Sequence, residues 1–246
     1  MDLPQVIAAL EAEARDNTAT IYRRHGAKGR ILGVSYAAIG KLVKRLRVDQ
    51  SLAEKLWRTG IHEARVVATK IADPAAISTA ELERWVTEAS DYITTDNVSG
   101  LAARTGGAAA LGRRWIRDPG EWKSAAGWNI LGLLAMEGRL EAAAAKPLLG
   151  RIEAEIHRVP NRTRYAMNGA LISIGGSLPG LTEAAIAAAQ RIGVVEVNHG
   201  QTDCKTPSAA GYILKMAAHR AKRSRVTGAR MAAGRSPQKR ARGPTG

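Results

Sequence analysis

Apolar residues along this chain recur mostly at three- and four-residue intervals, the period of a helix that buries one face. Leu3 to Ala14 opens the pattern, with Val6, Ile7 and Leu10 on one face and Glu11 and Glu13 away from it. A short second helix is predicted from Asn17 to His25, ending at Gly26. Gly26, Gly29 and Gly33 punctuate an irregular link; their spacing matches neither the Walker loop nor the dinucleotide fingerprint, so the link reads as a turn. Ser35 then caps a helix carrying Ile39, Leu42, Val43 and Leu46, and Asp49 caps one carrying Leu52, Leu56 and Trp57. After Gly60, Ile61 to Ala72 forms an antiparallel partner and completes a helical hairpin.

The same grammar repeats. Thr79 to Thr94 pairs with Asp96 to Arg104, Ala108 to Arg117 with Gly120 to Met136, and Glu141 to His157 with Asn161 to Ile174. Strand-like segments are few and phenylalanine is absent, so the expected class is all-α. Hairpins succeeding one another every roughly 25 to 40 residues describe a degenerate HEAT-like solenoid, whose concave face is the usual binding surface. A compact bundle of long helices is the alternative. Leu178 to Gln190 adds another helix and Val194, Val195 and Val197 look extended. Thr206 and Pro207 then mark N-cap and first turn of a terminal helix through His219.

Within this scaffold the stretch Trp85 to Arg104 stands out, because a helix runs there into a polar hinge and a second helix. Tyr92 and Asp96 are four apart, so on one helix an aromatic face and a carboxylate lie on a single stripe able to hold or stabilise a cation. The plain alternative is that Thr94, Thr95 and Asp96 are helix punctuation, one of them an N-cap.

Charge changes the picture further. The formal net charge is +15, of which nine Lys and Arg lie from Arg220 onward without an acid, leaving +6 on the remainder. A body basic in its own right favours nucleic acid over an acidic protein or anionic lipid. The expected organisation is a helical-repeat domain over 1–219 and a disordered basic tail over 220–246. The second helices of the hairpins begin with His62, Glu63 and Arg65, with Lys123 and Ser124, and with Arg162 and Arg164; side by side they would line a basic groove. Ordinary solvated charge at helix ends is the alternative. Of Trp115, Trp122 and Trp128, at least one belongs in the core.

Glu196, His199, Asp203 and Cys204 are chemically able to bind metal, yet their spacing fits no zinc pattern, and the default is a folded loop. The single cysteine excludes an internal disulfide framework and fits a reducing cytosol. No stretch reaches the roughly eighteen apolar residues of a membrane span, and the acidic N-terminal helix lacks the basic region of a secretory signal. A cytoplasmic, nucleoid-associated monomer without cofactor or metal is expected.

Over Asn17 to Ile174 the chain resembles the DNA alkylation repair proteins of the bacterial AlkD type. The resemblance rests on Ile31-Leu32-Gly33-Val34 before a capped helix, on Leu56-Trp57 leading to His62-Glu63-Ala64-Arg65, and on the Tyr92 to Asp96 stripe. Asp203-Cys204-Lys205-Thr206-Pro207 ahead of a basic tail is similar to segments in the same group. The resemblance implies HEAT-like repeats and a glycosylase that removes cationic alkylated purines, such as N3-methyladenine or N7-methylguanine, from double-stranded DNA. An alkylated base is already a good leaving group, so a fixed carboxylate that stabilises the developing oxocarbenium ion suffices. The resemblance assigns that role to Asp96 and the aromatic wall to Tyr92, which stands where the family has tryptophan. Arg65, Lys123, Arg162 and Arg164 are the candidates for DNA-backbone contacts.

Two positions depart from the family pattern. Ala125 stands where the family has a basic pocket residue, with Lys123 the nearest replacement, and Gly169 stands where it has a second pocket tryptophan. Arg162, Arg164 or Tyr165 is the alternative source of the missing group. The alternatives to excision are noncatalytic binding of DNA structures through the same groove and a helical-repeat scaffold for an acidic protein.

Overall fold

The structure is a computed structural model that describes residues 1–233, with side chains through Lys222. Among the described residues there are thirteen α-helices and no strand. They are α1 Leu3–Ala12, α2 Asp16–Arg24, α3 Tyr36–Leu46, α4 Gln50–Arg58, α5 His62–Ile71, α6 Thr79–Glu88 and α7 Tyr92–Ala103. Then follow α8 Ala108–Trp115, α9 Glu121–Met136, α10 Ala142–Glu155, α11 Asn161–Ser177, α12 Thr182–Ile192 and α13 Ala209–Ala233. A single 3-10 turn, Pro179–Leu181, leads into α12.

The helices form two layers. α3, α5, α7, α9, α11 and α13 lie side by side as one row, and α4, α8, α10 and α12 pack behind their hairpin partners. The sequence accounts for the division. α7, α9 and α11 carry buried residues around most of their circumference, as a helix enclosed on several sides must. α4 and α8 confine their buried residues to one stripe. α9 approaches the end of α8 closely, where a Cβ on Gly127 would stand 2.5 Å from the nitrogen of Ile116, the C-cap of α8. Successive hairpins stacked this way are the helical-repeat architecture expected from the spacing, and not a bundle.

Side-chain caps fix several helix starts. Ser35, Asp49 and Ser78 accept from the backbone N–H of Ala38, Leu52 and Glu81 respectively. Trp57, Trp85, Trp115 and Trp128 are fully buried, so two of the three clustered tryptophans belong to the core and Trp122 does not. A buried indole N–H needs an acceptor, and α6 supplies three. Trp85 donates to Glu81 at 2.9 Å, Trp115 to Glu83 at 2.6 Å and Trp57 to Glu88 at 2.7 Å. Trp57 and Trp85 stack face to face, with centroids 4.4 Å apart.

The two N-terminal motifs meet in space. Glu63, with no exposed surface, accepts from the backbone N–H groups of Leu32, Gly33 and Val34 at 3.0, 2.6 and 3.2 Å. The glycine link is therefore an anion cradle, filled by the protein's own carboxylate. Gly33 has φ +84°, and a Cβ there would stand 2.1 Å from the Arg15 carbonyl oxygen. Only glycine fits.

The C-terminal part departs from expectation in two ways. The last helix starts at Ala209, with Ser208 Oγ accepting from the Gly211 N–H at 3.4 Å; Thr206 instead meets His199 Nε2 at 2.9 Å. It also continues past His219, so residues 220–233, expected as tail, are helix. Alanine, arginine and lysine are strong helix formers, and Arg220 pins the helix by donating to the Gly176 carbonyl and to Thr182 Oγ1. The rest of the expected tail, 234–246, lies outside the described residues. No single helix among the described residues is long and apolar enough to cross a membrane.

Candidate functional site

α7 begins one turn earlier than its polar residues indicate. The break from α6 falls at Ala89 to Asp91, and Asp91 is the N-cap, accepting from the Thr94 N–H at 2.9 Å and from the Thr94 hydroxyl at 2.8 Å. Asp91 is itself buried beside His62, whose Nδ1 lies 3.7 Å from its Oδ2. Thr95 and Ser99 donate their hydroxyls to carbonyls one turn back, and Asn97 donates to the Ile93 carbonyl and the Tyr36 hydroxyl. The hinge read at Thr94 to Asp96 is thus continuous helix. Tyr92 and Asp96 share its face as their spacing predicts.

That face looks into a cleft of about 290 Å³ between α7, α9 and α11. Asp96 accepts from Asn129 Nδ2 at 2.7 Å, and Trp122 forms part of the wall. Arg162, at the start of α11, lays its guanidinium 4.6 Å from the Tyr92 ring centroid and 4.8 Å from that of Tyr165. A planar cation held against two aromatic rings is a strong arrangement for arginine. The backbone of Arg162 is fixed by Glu121, which accepts its N–H at 2.7 Å.

The electrostatics follow from this enclosure. Loss of water around Asp96 pushes its carboxyl up to about 6; Arg162 and the Asn129 hydrogen bond oppose the shift, and Asp91 adds to it. The Asp96 side chain stays exposed through the cleft mouth while helices stand around it, and that solvent access screens part of the push. Burial likewise raises the Tyr92 hydroxyl to about 12, against the opposing charge of Arg162, so its ring is neutral.

A model of the DNA alkylation repair enzyme family matches residues 6–213. The chain belongs to this family. An uncharacterized protein of Listeria innocua serovar 6a, Lin0241, is 28% identical over 217 residues, covering 86% of this chain and 95% of the relative. Lmo0209, an uncharacterized protein of Listeria monocytogenes serovar 1/2a, is 29% identical over the same shares. A solved structure superposes with a TM-score of 0.81 at 30% identity, covering 87% of this chain and 93% of the other. It represents a new family of proteins related to the HEAT-like repeat DNA glycosylases with affinity for branched DNA structures.

The departures from the alkylation repair pattern sit together in the cleft. Ala125 and Gly169 both line it, and a Cβ on Gly169 would meet nothing within 4 Å. Arg162 and Tyr165, the alternative sources of a cation and a ring, line it too. The other three arginine and lysine candidates point elsewhere. Arg65 stacks over Trp57 and pairs with Glu88 at 3.1 Å. Lys123 lies between Glu83 at 2.8 Å and Asp118 at 2.9 Å. Arg164 donates to the carbonyls of Ile156, Val159 and Glu196. Each of these cations is engaged inside the fold.

Neither Asn129 nor Trp122 was expected at the site, Trp122 being considered only as a core candidate. Asn129 did leave a signal, a lone amide in the otherwise apolar run Trp128 to Leu134. The segment after α12 also borders this region. Asn161 exchanges hydrogen bonds with the Asn198 backbone at 2.8 and 2.7 Å, and the His199 ring meets the edge of Tyr165 at 5.5 Å. Among the described residues no group of three His, Cys, Asp or Glu is arranged to hold a metal, and Glu196, His199, Asp203 and Cys204 form a loop.

Proposed function

We propose that this protein binds DNA through the face that carries the cleft, and that it recognises DNA structure, such as a branch, without excising a base. The observation that carries the proposal is the position of Arg162. A cationic purine would be attracted to a neutral aromatic slot beside a carboxylate, and here that slot already holds a flat cation. Arg162 therefore competes with such a base and lowers the negative potential at Asp96. The same guanidinium is suited to a phosphate, which it can grip bidentately. The affinity of the 30% identical neighbour for branched DNA supports the reading from another side.

The second reading is carboxylate-assisted excision of an alkylated purine from duplex DNA. Asp96 favours it, because the carboxylate is oriented by Asn129 and open to water at the cleft mouth. For that chemistry Arg162 would have to leave the two rings when DNA binds.

Competition between a three-armed junction and a linear duplex of equal length and base composition tests the first reading. It expects tighter binding to the junction at matched salt, weakened by Arg162→Ala. Equal affinity for the two DNAs, or affinity unchanged in Arg162→Ala, would overturn it.

A further inference from the structure

α13 carries an arrangement that the cleft does not use. Tyr212, Lys215, His219 and Lys222 are all exposed and follow one another at spacings of three, four and three residues. They form one stripe along roughly 15 Å of helix. The Lys215 ammonium lies 5.3 Å from the Tyr212 ring centroid. None of Lys215, His219 and Lys222 is paired with a carboxylate among the described residues, and the sequence contains no Asp or Glu after Asp203. The helix runs to Ala233, past residue 213 where the match to the alkylation repair family ends.

The stripe is held in a fixed direction. Ile213 is fully buried, Met216 packs against the core at Gly176, and Arg220 ties the helix to α11 and α12. Apart from Leu214, which is exposed, the large aliphatic side chains described on α13 are thus already occupied by the protein. A helix that lies on a bilayer needs such side chains for the lipid, so a membrane is a poor occupant. An acidic protein would ask for apolar anchors at the centre of the contact, whereas this stripe offers two lysines, a histidine and one ring. Uncompensated cations in a row match a sugar-phosphate backbone.

We propose that α13 is a second DNA contact, added to the family fold, which holds the phosphate backbone of a DNA segment other than the one at the cleft. The inference rests on the DNA-binding reading above. Two separate contacts explain how a small protein gains from a branched ligand, because the second arm binds at a high effective concentration once the first is held.

The test uses the full chain and the triple variant Lys215→Gln, His219→Gln, Lys222→Gln, all at exposed positions. Binding to the three-armed junction is measured over a salt series at pH 8, with the thermal melt as a check on folding. Each phosphate contact contributes about 0.9 to the slope of log K against log salt, so loss of two lysines lowers the slope by about 2 and weakens junction binding about tenfold at low salt. Binding to the linear duplex changes less. A folded triple variant with unchanged slope and junction affinity overturns the α13 contact while leaving the cleft reading intact. A wild type that binds neither DNA removes both. If the variant loses binding to phosphatidylserine vesicles or to polyglutamate but keeps its DNA slope, the stripe serves lipid or acidic protein, and the inference is wrong.

Discussion

Two carboxylates stand near the starts of the neighbouring helices α5 and α7, and they have opposite surroundings. Glu63 on α5 has no exposed surface and accepts from three backbone N–H groups. Asp96 on α7 accepts from one side-chain amide and is exposed to a cleft. The first has no capacity left for a ligand, and its burial is tolerated because every donor around it points inward. The second keeps lone pairs free and water at hand. Similar chemistry in the sequence thus serves as mortar in one place and as a candidate site in the other, and the count of donors decides which.

The contrast breaks first at Glu63. Glu63→Ala leaves three buried or part-buried N–H groups without an acceptor and empties their cradle, which should cost roughly 3–5 kcal/mol in denaturant unfolding. A loss below about 1 kcal/mol would mean that the loop finds water instead.

Gly169 sharpens the other side. It is a helical glycine whose missing Cβ would meet open space, so nothing steric requires it. Gly169→Ala should stabilise the protein by roughly 0.5–1 kcal/mol and narrow the cleft. If stability rises while junction binding is unchanged, the room over Gly169 is not used by DNA.

The smallest effect belongs to Asp96. Its carboxyl titrates higher in the folded protein, at about 6, than its ordinary value of 3.8. Between those values the folded state holds the proton more tightly, so this group disfavours folding above pH 6 and the penalty disappears as pH falls towards 3.8. Asp96→Asn should therefore melt at or slightly above the wild-type temperature at pH 7.5, within about 0.5 kcal/mol, and the difference should shrink at pH 5. A difference that widens as the pH falls would show that the carboxylate is stabilised by its surroundings, as Glu63 is.

The hairpins were legible because caps and apolar spacing are local. Ser35 and Asp49 cap the helices they were expected to cap, and Tyr92 and Asp96 share a face because both lie on one helix. Asp91 was missed as a cap since the threonines after it look like a break, whereas their hydroxyls turn back onto the helix. The charges were the least legible. Arg65 finds Glu88 and Lys123 finds Glu83, each more than twenty residues away and the latter beside nearby Asp118, and Arg162 finds Tyr92 across seventy, distances over which sequence spacing says nothing. The stop at His219 failed for a simpler reason, since the Ala-, Lys- and Arg-rich sequence beyond it has high intrinsic helix propensity.

In the proposed function the Arg162 guanidinium occupies the slot an alkylated base would need. The most direct test is release of free base from duplex DNA containing N7-methylguanine, with wild type and Asp96→Asn at saturating protein. The wild type is expected to release base no faster than the DNA does alone, while still binding the junction. Release well above that background that collapses in Asp96→Asn would contradict it and make Asp96 a catalytic residue.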